Sequence, residues 1–320
     1  LRGLTTAAAL LRTEEAQTAP TVPFLRADTP WRRGAYRVGI DTRVDTRWER
    51  RTHHFETTAA TVAQLCAAAS STVAPLARAA KSDPTSAIQW RAASVIPCSL
   101  EGAASSAPCT TDGGDGAAPS NDLHNQTSAT SAVAPLARAA SHAPVAVFFP
   151  SYAYAESVAQ TCAASHPSLR IAQQPRGLDL AEQTAFIESA LAANDAIFLV
   201  LGTGYTEGID LLGGRITHAM VVGPALPEVN AVQRAKLAHC DAKSRDAAFR
   251  RVYQVPGMQK VNQALGRLVR APGHSATVIL HCCRFAEASY RELLDPELQN
   301  AVVLDADETL AAWLSGHEIA

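Results

Sequence analysis

The residues best suited to chemistry lie close together near the C-terminal end of the chain, within 256–285. Gln263, Arg267 and Arg270 are separated by four and then three residues, which predicts that they share one side of a helix. The opposite side is predicted to face the core: Val261, Leu265 and Leu268. A carboxamide beside two planar, always charged guanidinium groups suits contact with a transferring phosphoryl group. A solvated basic surface is the alternative interpretation.

The segments that would position these residues alternate between strands and helices. Continuous apolar runs predict buried parallel strands at 144–150, 196–201, 217–222 and 276–280, the final one being the last strand of the core. The pattern is completed by a short strand at 169–172, an alternating strand at 36–40, and helices at 55–80 and 180–193. This alternation predicts an α/β fold with a mainly parallel sheet.

Two further candidate segments directly follow predicted strands. Ser151 is expected to cap the helix that begins after it, at the carboxyl edge of the sheet where α/β proteins bind ligands. The stretch GTGYTEGIDLLGG occupies 202–214, and its glycines allow a ligand to approach the backbone closely. Glu207 and Asp210 add two carboxylates to this stretch. A loop with acidic caps is the alternative.

An arginine-rich segment surrounds the predicted strand at 36–40. Its arginines are Arg32, Arg33, Arg37, Arg43, Arg47, Arg50 and Arg51. Such a density of positive charge suits the steering of a nucleic acid backbone. The alternative is that Asp41, Asp45 and Glu49 pair with these arginines on the surface.

Composition excludes several classes of protein. The 320 residues are 47% hydrophobic, yet no apolar run approaches the roughly 18 residues of a membrane span, and no signal peptide is recognisable at the N-terminus. We therefore expect a cytoplasmic protein without a membrane partner. The seven cysteines form no C-x-x-C pair, which predicts reduced thiols and no metal site. His281, Cys282 and Cys283 are adjacent on a predicted strand end and should point to opposite faces.

Three stretches resemble motifs of the DinG and XPD group of DNA helicases: FFPSY at 148–152, GTGYTEGIDLLGG at 202–214 and QALGRLVR at 263–270. They occur in the family's order, and the resemblance covers about 30–80 and 144–315. It implies a second RecA-like domain, which is an α/β fold of the P-loop NTPase type with a mainly parallel sheet and helices on both faces.

The resemblance also assigns roles to individual residues. It implies that three side chains face ATP bound between two RecA-like domains, the last of them as an arginine finger: Gln263, Arg267 and Arg270. Three residues would lie near the nucleotide: Glu207, Gly208 and Asp210. Five would lie along single-stranded DNA: Ser151, Tyr152, Thr203, Tyr205 and Thr206. Relatives usually carry an aspartate where this chain has Cys282, two residues before Arg284.

The nucleotide site itself is incomplete in this sequence. No GxxxxGK followed by Ser or Thr is present, and no acidic box follows a strand to hold Mg²⁺. We therefore expect ATP and Mg²⁺ to be bound mainly by a missing N-terminal RecA-like domain, without an iron–sulfur cluster in this chain. The 320 residues alone should not hydrolyse ATP.

The expected division of the chain follows from composition and resemblance. Residues 1–29 would lead in from a preceding motor domain, and 30–81 would begin the second RecA-like domain. Residues 82–131 have the composition of a low-complexity insertion, and 132–320 would form the domain core.

Two functions remain open at this stage. The first is the C-terminal half of an ATP-dependent DNA helicase, which by resemblance moves 5′ to 3′. The second is a non-catalytic nucleic-acid-binding module that kept the fold; Cys282, the insertion and the absent P-loop favour it.

Overall fold

A computed structural model describes residues 29–82, 143–207, 211–240, 242 and 244–317. The expected lead-in at 1–29, apart from residue 29, and the expected insertion at 82–131, apart from residue 82, lie outside these described residues. The fold is therefore built from the segment after residue 28 and the long segment after residue 142.

Seven strands form one sheet in the order β3-β4-β2-β5-β6-β1-β7. The strands are β1 Tyr36–Asp41, β2 Val145–Phe149, β3 Ile171–Gln173, β4 Ala196–Val200, β5 His218–Val221, β6 Ala276–His281 and β7 Ala301–Leu304. All six pairings between neighbours are parallel, which confirms the predicted α/β class and parallel sheet. The expectation that β6 is the last strand was wrong, because β7 pairs with β1 at the edge of the sheet.

The helices cover both faces of this sheet. They are α1 Phe55–Ser82, α2 Tyr152–Ser165, α3 Leu180–Ala193, α4 Gly204–Glu207, α5 Ala231–Ala238, α6 Arg245–Phe249, α7 Val255–Leu265, α8 Ala288–Arg291, α9 Pro296–Gln299 and α10 Asp307–Leu314. A π-helical turn, Arg250–Gln254, joins α6 to α7.

The alternation of side chains along β2 divides the core in two. Val147 and Phe149 pack with apolar residues of α1, α2 and α10. Ala146 and Phe148 pack on the opposite face with residues of α3, α4 and α7. Each of these β2 side chains is fully buried, which is why β2 reads as a continuous apolar run in the sequence.

Candidate functional site

The described residues between β4 and β5 contact helix α7 near its middle and the turn that follows it. Because β4 and β5 are parallel, the chain must return from the carboxyl edge to the amino edge between them. Near the carboxyl edge, a Cβ added to Gly202 would lie 2.8 Å from Nζ of Lys260. Near the amino edge, a Cβ added to Gly213 would lie 2.8 Å from Cγ of Arg270. The two glycines therefore permit this close packing.

Residues 263–270, called the arginine segment below, are also hydrogen-bonded to the connection between β4 and β5. The backbone N–H of Gly214 donates to the carbonyl oxygen of Leu268 over 3.1 Å. A Cβ on Gly213 would lie 3.1 Å from the carbonyl oxygen of Arg267, so side-chain-free backbone is needed at this point. Two of the three stretches that carry the family resemblance thus contact each other directly.

The prediction that Gln263, Arg267 and Arg270 share one helix was wrong. Helix α7 ends at Leu265, and Gly266 caps it by donating its N–H to the carbonyl oxygen of Asn262 over 2.8 Å. The next amides bond to carbonyls three residues back, which tightens the chain into a turn. Glycine is a poor helix former, and Pro272 disfavours helical geometry in the residue before it.

The three side chains differ in exposure as a result. Gln263 lies exposed in the last turn of α7, Arg267 is half-buried in the following turn, and Arg270 is exposed. Leu268 is buried, as the sequence predicted, although it lies beyond the helix. The end of α7 lies at the amino edge of the sheet, where the hydroxyl of Tyr36 donates to the carbonyl oxygen of Leu265 over 2.9 Å.

The three residues expected near the nucleotide are only partly described. Glu207 is the last residue of α4, but its side chain lies outside the description. Gly208 and Asp210 lie outside the described residues. Their nucleotide-binding role remains a prediction.

The chain leaves the neighbouring strands β2 and β4 in different directions at the carboxyl edge, and we call the place between these two connections the crevice. Helix α2 leaves β2 toward one face of the sheet, whereas the connection after β4 leaves toward the other face. Such a divergence is where open α/β sheets bind ligands. The crevice is bordered by residues that sequence reasoning selected: Ser151 and Tyr152 after β2, and Thr203 after β4.

Ser151 and Tyr152 open helix α2. The hydroxyl oxygen of Ser151 accepts a hydrogen bond of 3.4 Å from the backbone N–H of Tyr154, which confirms the predicted cap. Tyr152 is half-buried, and its ring carries the guanidinium of Arg176 at 4.3 Å from the ring centroid. Ser151 is half-buried as well, so both residues lie at the surface of the crevice.

Gln174 joins the two sides of the crevice and was not found by sequence reasoning. Its Nε2 donates to the hydroxyl of Tyr152 over 2.6 Å and to the hydroxyl of Thr203 over 3.2 Å. Its Oε1 accepts the backbone N–H of Val200 over 2.7 Å. One feature of the sequence could have identified Gln174: it is a polar residue directly after β3, at the same edge of the sheet as Tyr152 and Thr203.

Tyr205 and Thr206 lie below this surface. Tyr205 is 3% exposed, and its ring meets that of Phe186 edge-on with centroids 5.8 Å apart. The hydroxyl of Thr206 accepts the backbone N–H groups of Gly202 and Thr203 over 3.2 and 3.3 Å. Both side chains therefore brace the turn after β4. The buried hydroxyl of Tyr205 has no hydrogen-bond partner in the described part of the chain.

Most of the arginine-rich segment is paired within the protein. Arg47 lies 2.9 Å from Asp45 and 3.1 Å from Glu287, and Arg50 lies 3.3 Å from Asp45. These contacts favour the interpretation of surface ion pairs for this part of the segment. Arg51 differs, because its guanidinium lies over two aromatic rings.

A buried polar network lies where β1 and β6 end. The carboxylate of Asp41 is 2.7 Å from Nδ1 of His281 and 2.6 Å from a guanidinium nitrogen of Arg43. On its other side, Nε2 of His281 is 3.0 Å from the hydroxyl of Thr58. Burial alone would raise the pKa of Asp41, but hydrogen bonds from His281 and Arg43 outweigh it and hold that pKa well below its usual range. The network ties β1, β6 and α1 together.

Cys282 and Cys283 both lie near Asp45, so these two neighbours do not point to opposite faces as strand alternation predicted, whereas His281 contacts Asp41 and Thr58 instead. The three potential ligand atoms lie within 4.8 Å of one another, because Cys283 begins a 3₁₀ turn and no longer follows the strand. A cation at this place would compete with Arg47 and Arg50 for the carboxylate of Asp45. Burial also raises the pKa of the Cys283 thiol, which disfavours the thiolate that binds metals.

Thr46 connects Cys282 to Arg284. Its hydroxyl lies 3.2 Å from the sulfur of Cys282 and accepts a hydrogen bond of 2.9 Å from the guanidinium of Arg284. Arg284 is buried, and its guanidinium carbon lies 5.9 Å from the ring centroid of Tyr290. The hydroxyl of Thr46 therefore holds the guanidinium of Arg284 beside Cys282.

Comparison with known proteins assigns the chain to a family. The profile of the helicase C-terminal domain family matches residues 136–301, so this chain belongs to that family. The match confirms the helicase resemblance and agrees with the RecA-like fold class expected from it.

Two solved structures are similar to part of this chain. An XPD helicase structure is 21% identical, covers 51% of this chain and 29% of its own, and has a TM-score of 0.42. The structure of S. tokodaii Xpd4 is 17% identical, covers 51% of this chain and 31% of its own, and has a TM-score of 0.36. The matched region is thus less than a third of either XPD chain.

A helix must be both long and apolar to span a membrane. Within the described ranges, none is both long enough and apolar enough to cross a bilayer.

Proposed function

We propose that this chain is the C-terminal motor domain of an ATP-dependent DNA helicase of the DinG and XPD type, moving 5′ to 3′ on single-stranded DNA. Its family membership supports the proposal at the level of the domain. The observation that carries the motor assignment is the contact between two predicted motifs, in which Gly213 and Gly214 pack on the backbone of Arg267 and Leu268. The connection after β4 then reaches from the DNA-facing crevice to the arginine segment.

The arginine segment would complete a nucleotide site shared with an N-terminal RecA-like domain. That domain would hold most of the ATP and Mg²⁺, and bound ATP would supply the phosphoryl group whose hydrolysis drives movement. Arg270 is exposed and lies on backbone fixed by Gly213, which suits a guanidinium presented to a second domain. Arg267 and Gln263 would add a second positive charge and a carboxamide to the same surface.

The crevice at the carboxyl edge would hold the DNA strand. Ser151, Tyr152 and Thr203 offer hydroxyl groups that suit contact with phosphate oxygens. Tyr205 and Thr206 would support the turn that carries Thr203. Gln174 would keep the two walls of the crevice in register.

The test replaces one arginine in a protein that carries both motor domains. We expect Arg270→Ala to lower the DNA-stimulated ATPase rate by at least about a thousand-fold, the lower limit for an arginine finger, and to leave single-stranded DNA binding unchanged. Arg215→Ala is the matched control, because Arg215 is an exposed arginine near Gly213 that pairs with Glu188 over 2.7 Å. Full turnover by Arg270→Ala would refute the assignment.

A second function is favoured by one observation. Cys282 occupies the place of a carboxylate, and Arg284 depends on Thr46 instead. A non-catalytic nucleic-acid-binding module would tolerate this change. In that case the two-domain protein would bind single-stranded DNA but show no ATPase activity with or without it.

A further inference from the structure

Trp48 is unusually exposed for a tryptophan. Its side chain belongs to the segment after β1, at the carboxyl edge of the sheet, and is 75% exposed. No other large hydrophobic residue in the described ranges is as exposed. An open indole ring at the edge where this fold binds ligands suits a stacking partner.

Arg51 covers one side of this ring. Its guanidinium carbon lies 3.8 Å from the centroid of Trp48 and 5.2 Å from that of Tyr154. No carboxylate lies within ion-pair distance of Arg51 among the residues that the structure describes, whereas Arg47 and Arg50 share Asp45. Among the described residues, the positive charge of Arg51 therefore faces aromatic rings and not a carboxylate.

The pair contacts helix α2, whose first residues border the crevice. Tyr154, which Arg51 also contacts, is in the first turn of α2, two residues after Tyr152. Tyr152 itself carries Arg176 at 4.3 Å. One arginine thus lies over the first residue of α2 and another over the third.

We propose that Trp48 and Arg51 form a stacking site for one base of single-stranded DNA. The base packs on the open side of the indole ring, and the guanidinium of Arg51 contacts a backbone phosphate. Every base has a π-face, so the site accepts any sequence. This inference rests on the proposed DNA-binding function and extends the bound strand beyond the crevice toward the segment after β1.

The test measures binding of a fluorescent oligo-dT strand by anisotropy. We expect Trp48→Ala to weaken binding roughly ten-fold, within the range found for base–aromatic stacking. Trp48→Phe should restore most of the affinity, because a phenyl ring still stacks. Trp31→Ala is the matched control: Trp31 is also exposed but lies in the turn before β1, at the amino edge.

A strand of the same length without bases separates stacking from phosphate contact. Wild-type protein should bind this abasic strand more weakly than oligo-dT, and Trp48→Ala should bind it as the wild type does. Equal affinity of Trp48→Ala and wild type for oligo-dT would overturn the stacking site, and so would an equal loss on both strands. If wild-type protein binds neither strand, the DNA-binding function itself fails, and the stacking site fails with it.

Discussion

The hydroxyl of Tyr152 accepts a hydrogen bond of 2.6 Å from the side-chain amide of Gln174. The two residues follow β2 and β3, which are not neighbours, since β4 lies between them. The carboxamide also accepts the N–H of Val200, the last residue of β4. One buried side chain therefore fixes the carboxyl ends of three strands, and it does so at the crevice.

Replacing Gln174 tests this fixation. We expect Gln174→Ala to lower the free energy of unfolding by about 1–3 kcal/mol, because the buried N–H of Val200 loses its acceptor. Affinity for single-stranded DNA should fall as well, since Tyr152 and Thr203 lose their common partner. Urea denaturation and anisotropy measure the two effects. Gln173→Ala, at the exposed neighbouring position, should change neither.

Gly213 tests the contact between the two motifs. We expect Gly213→Ala to displace the arginine segment, because the new Cβ would lie 2.8 Å from Cγ of Arg270 and 3.1 Å from the carbonyl oxygen of Arg267. ATPase activity of the two-domain protein should fall, while DNA binding persists. Gly34→Ala is the control. Gly34 has a φ of 74° and open space around it. An alanine there should strain the backbone but leave the arginine segment in place. Equal ATPase loss in both variants would contradict this reasoning.

Arg43 has two acidic partners, Asp41 and Asp307, whose contributions to stability should differ because one is buried and the other exposed. The side chain of Asp41 is fully buried, whereas that of Asp307 is 74% exposed. We expect Asp41→Asn to cost about 3–5 kcal/mol, because Arg43 would lose a buried counter-charge. Asp307→Asn should cost about 0–1 kcal/mol, as exposed ion pairs do. Similar losses in chemical denaturation would refute the buried network's role.

We expect the buried side chain of His218 to make the stability of the fold depend on pH. Burial lowers its pKa to about 4, so the folded state keeps it neutral while the unfolded state takes up a proton below about 6.5. As pH falls from 6.5 toward 4, the unfolded state binds more protons, and His218 should reduce the free energy of unfolding by about 1.4 kcal/mol per pH unit. This slope should flatten in His218→Gln and persist in His53→Gln, whose site is exposed. Above pH 6.5 the contribution is constant.

The strands that the sequence predicted best are those buried on both faces. β2 and β4 read as continuous apolar runs and were predicted to within two residues, because full burial allows no polar side chain. Strand β7 was missed. It has four residues, and Val302 and Val303 remain 42% and 47% exposed at the edge of the sheet. Nothing in four such residues distinguishes an edge strand from a loop.

The candidate site was predicted in its parts but not in its connections. Residue types selected Tyr152, Thr203 and Arg270, whereas Gln174 gains its role only from the register of β3 beside β4. The prediction that Gln263, Arg267 and Arg270 share one helix failed because spacing alone does not reveal where a helix ends. Gly266 and Pro272 carried that information locally. Cys282 and Cys283 converge on Asp45 because a turn begins there, which strand alternation could not show.

Strand β1 comes first along the described chain, yet it lies between β6 and β7. Its hydrogen-bonding partners are therefore made last by the ribosome, and a growing chain holds Val38 and Ile40 without a sheet to bury them. Pairing of β1 with β6 must then close a long loop, from residue 41 to residue 276, which slows folding. A chain truncated before Ala276 would lack both β6 and β7, so β1 would have no neighbouring strand on either side. We expect its unpaired backbone groups to promote aggregation.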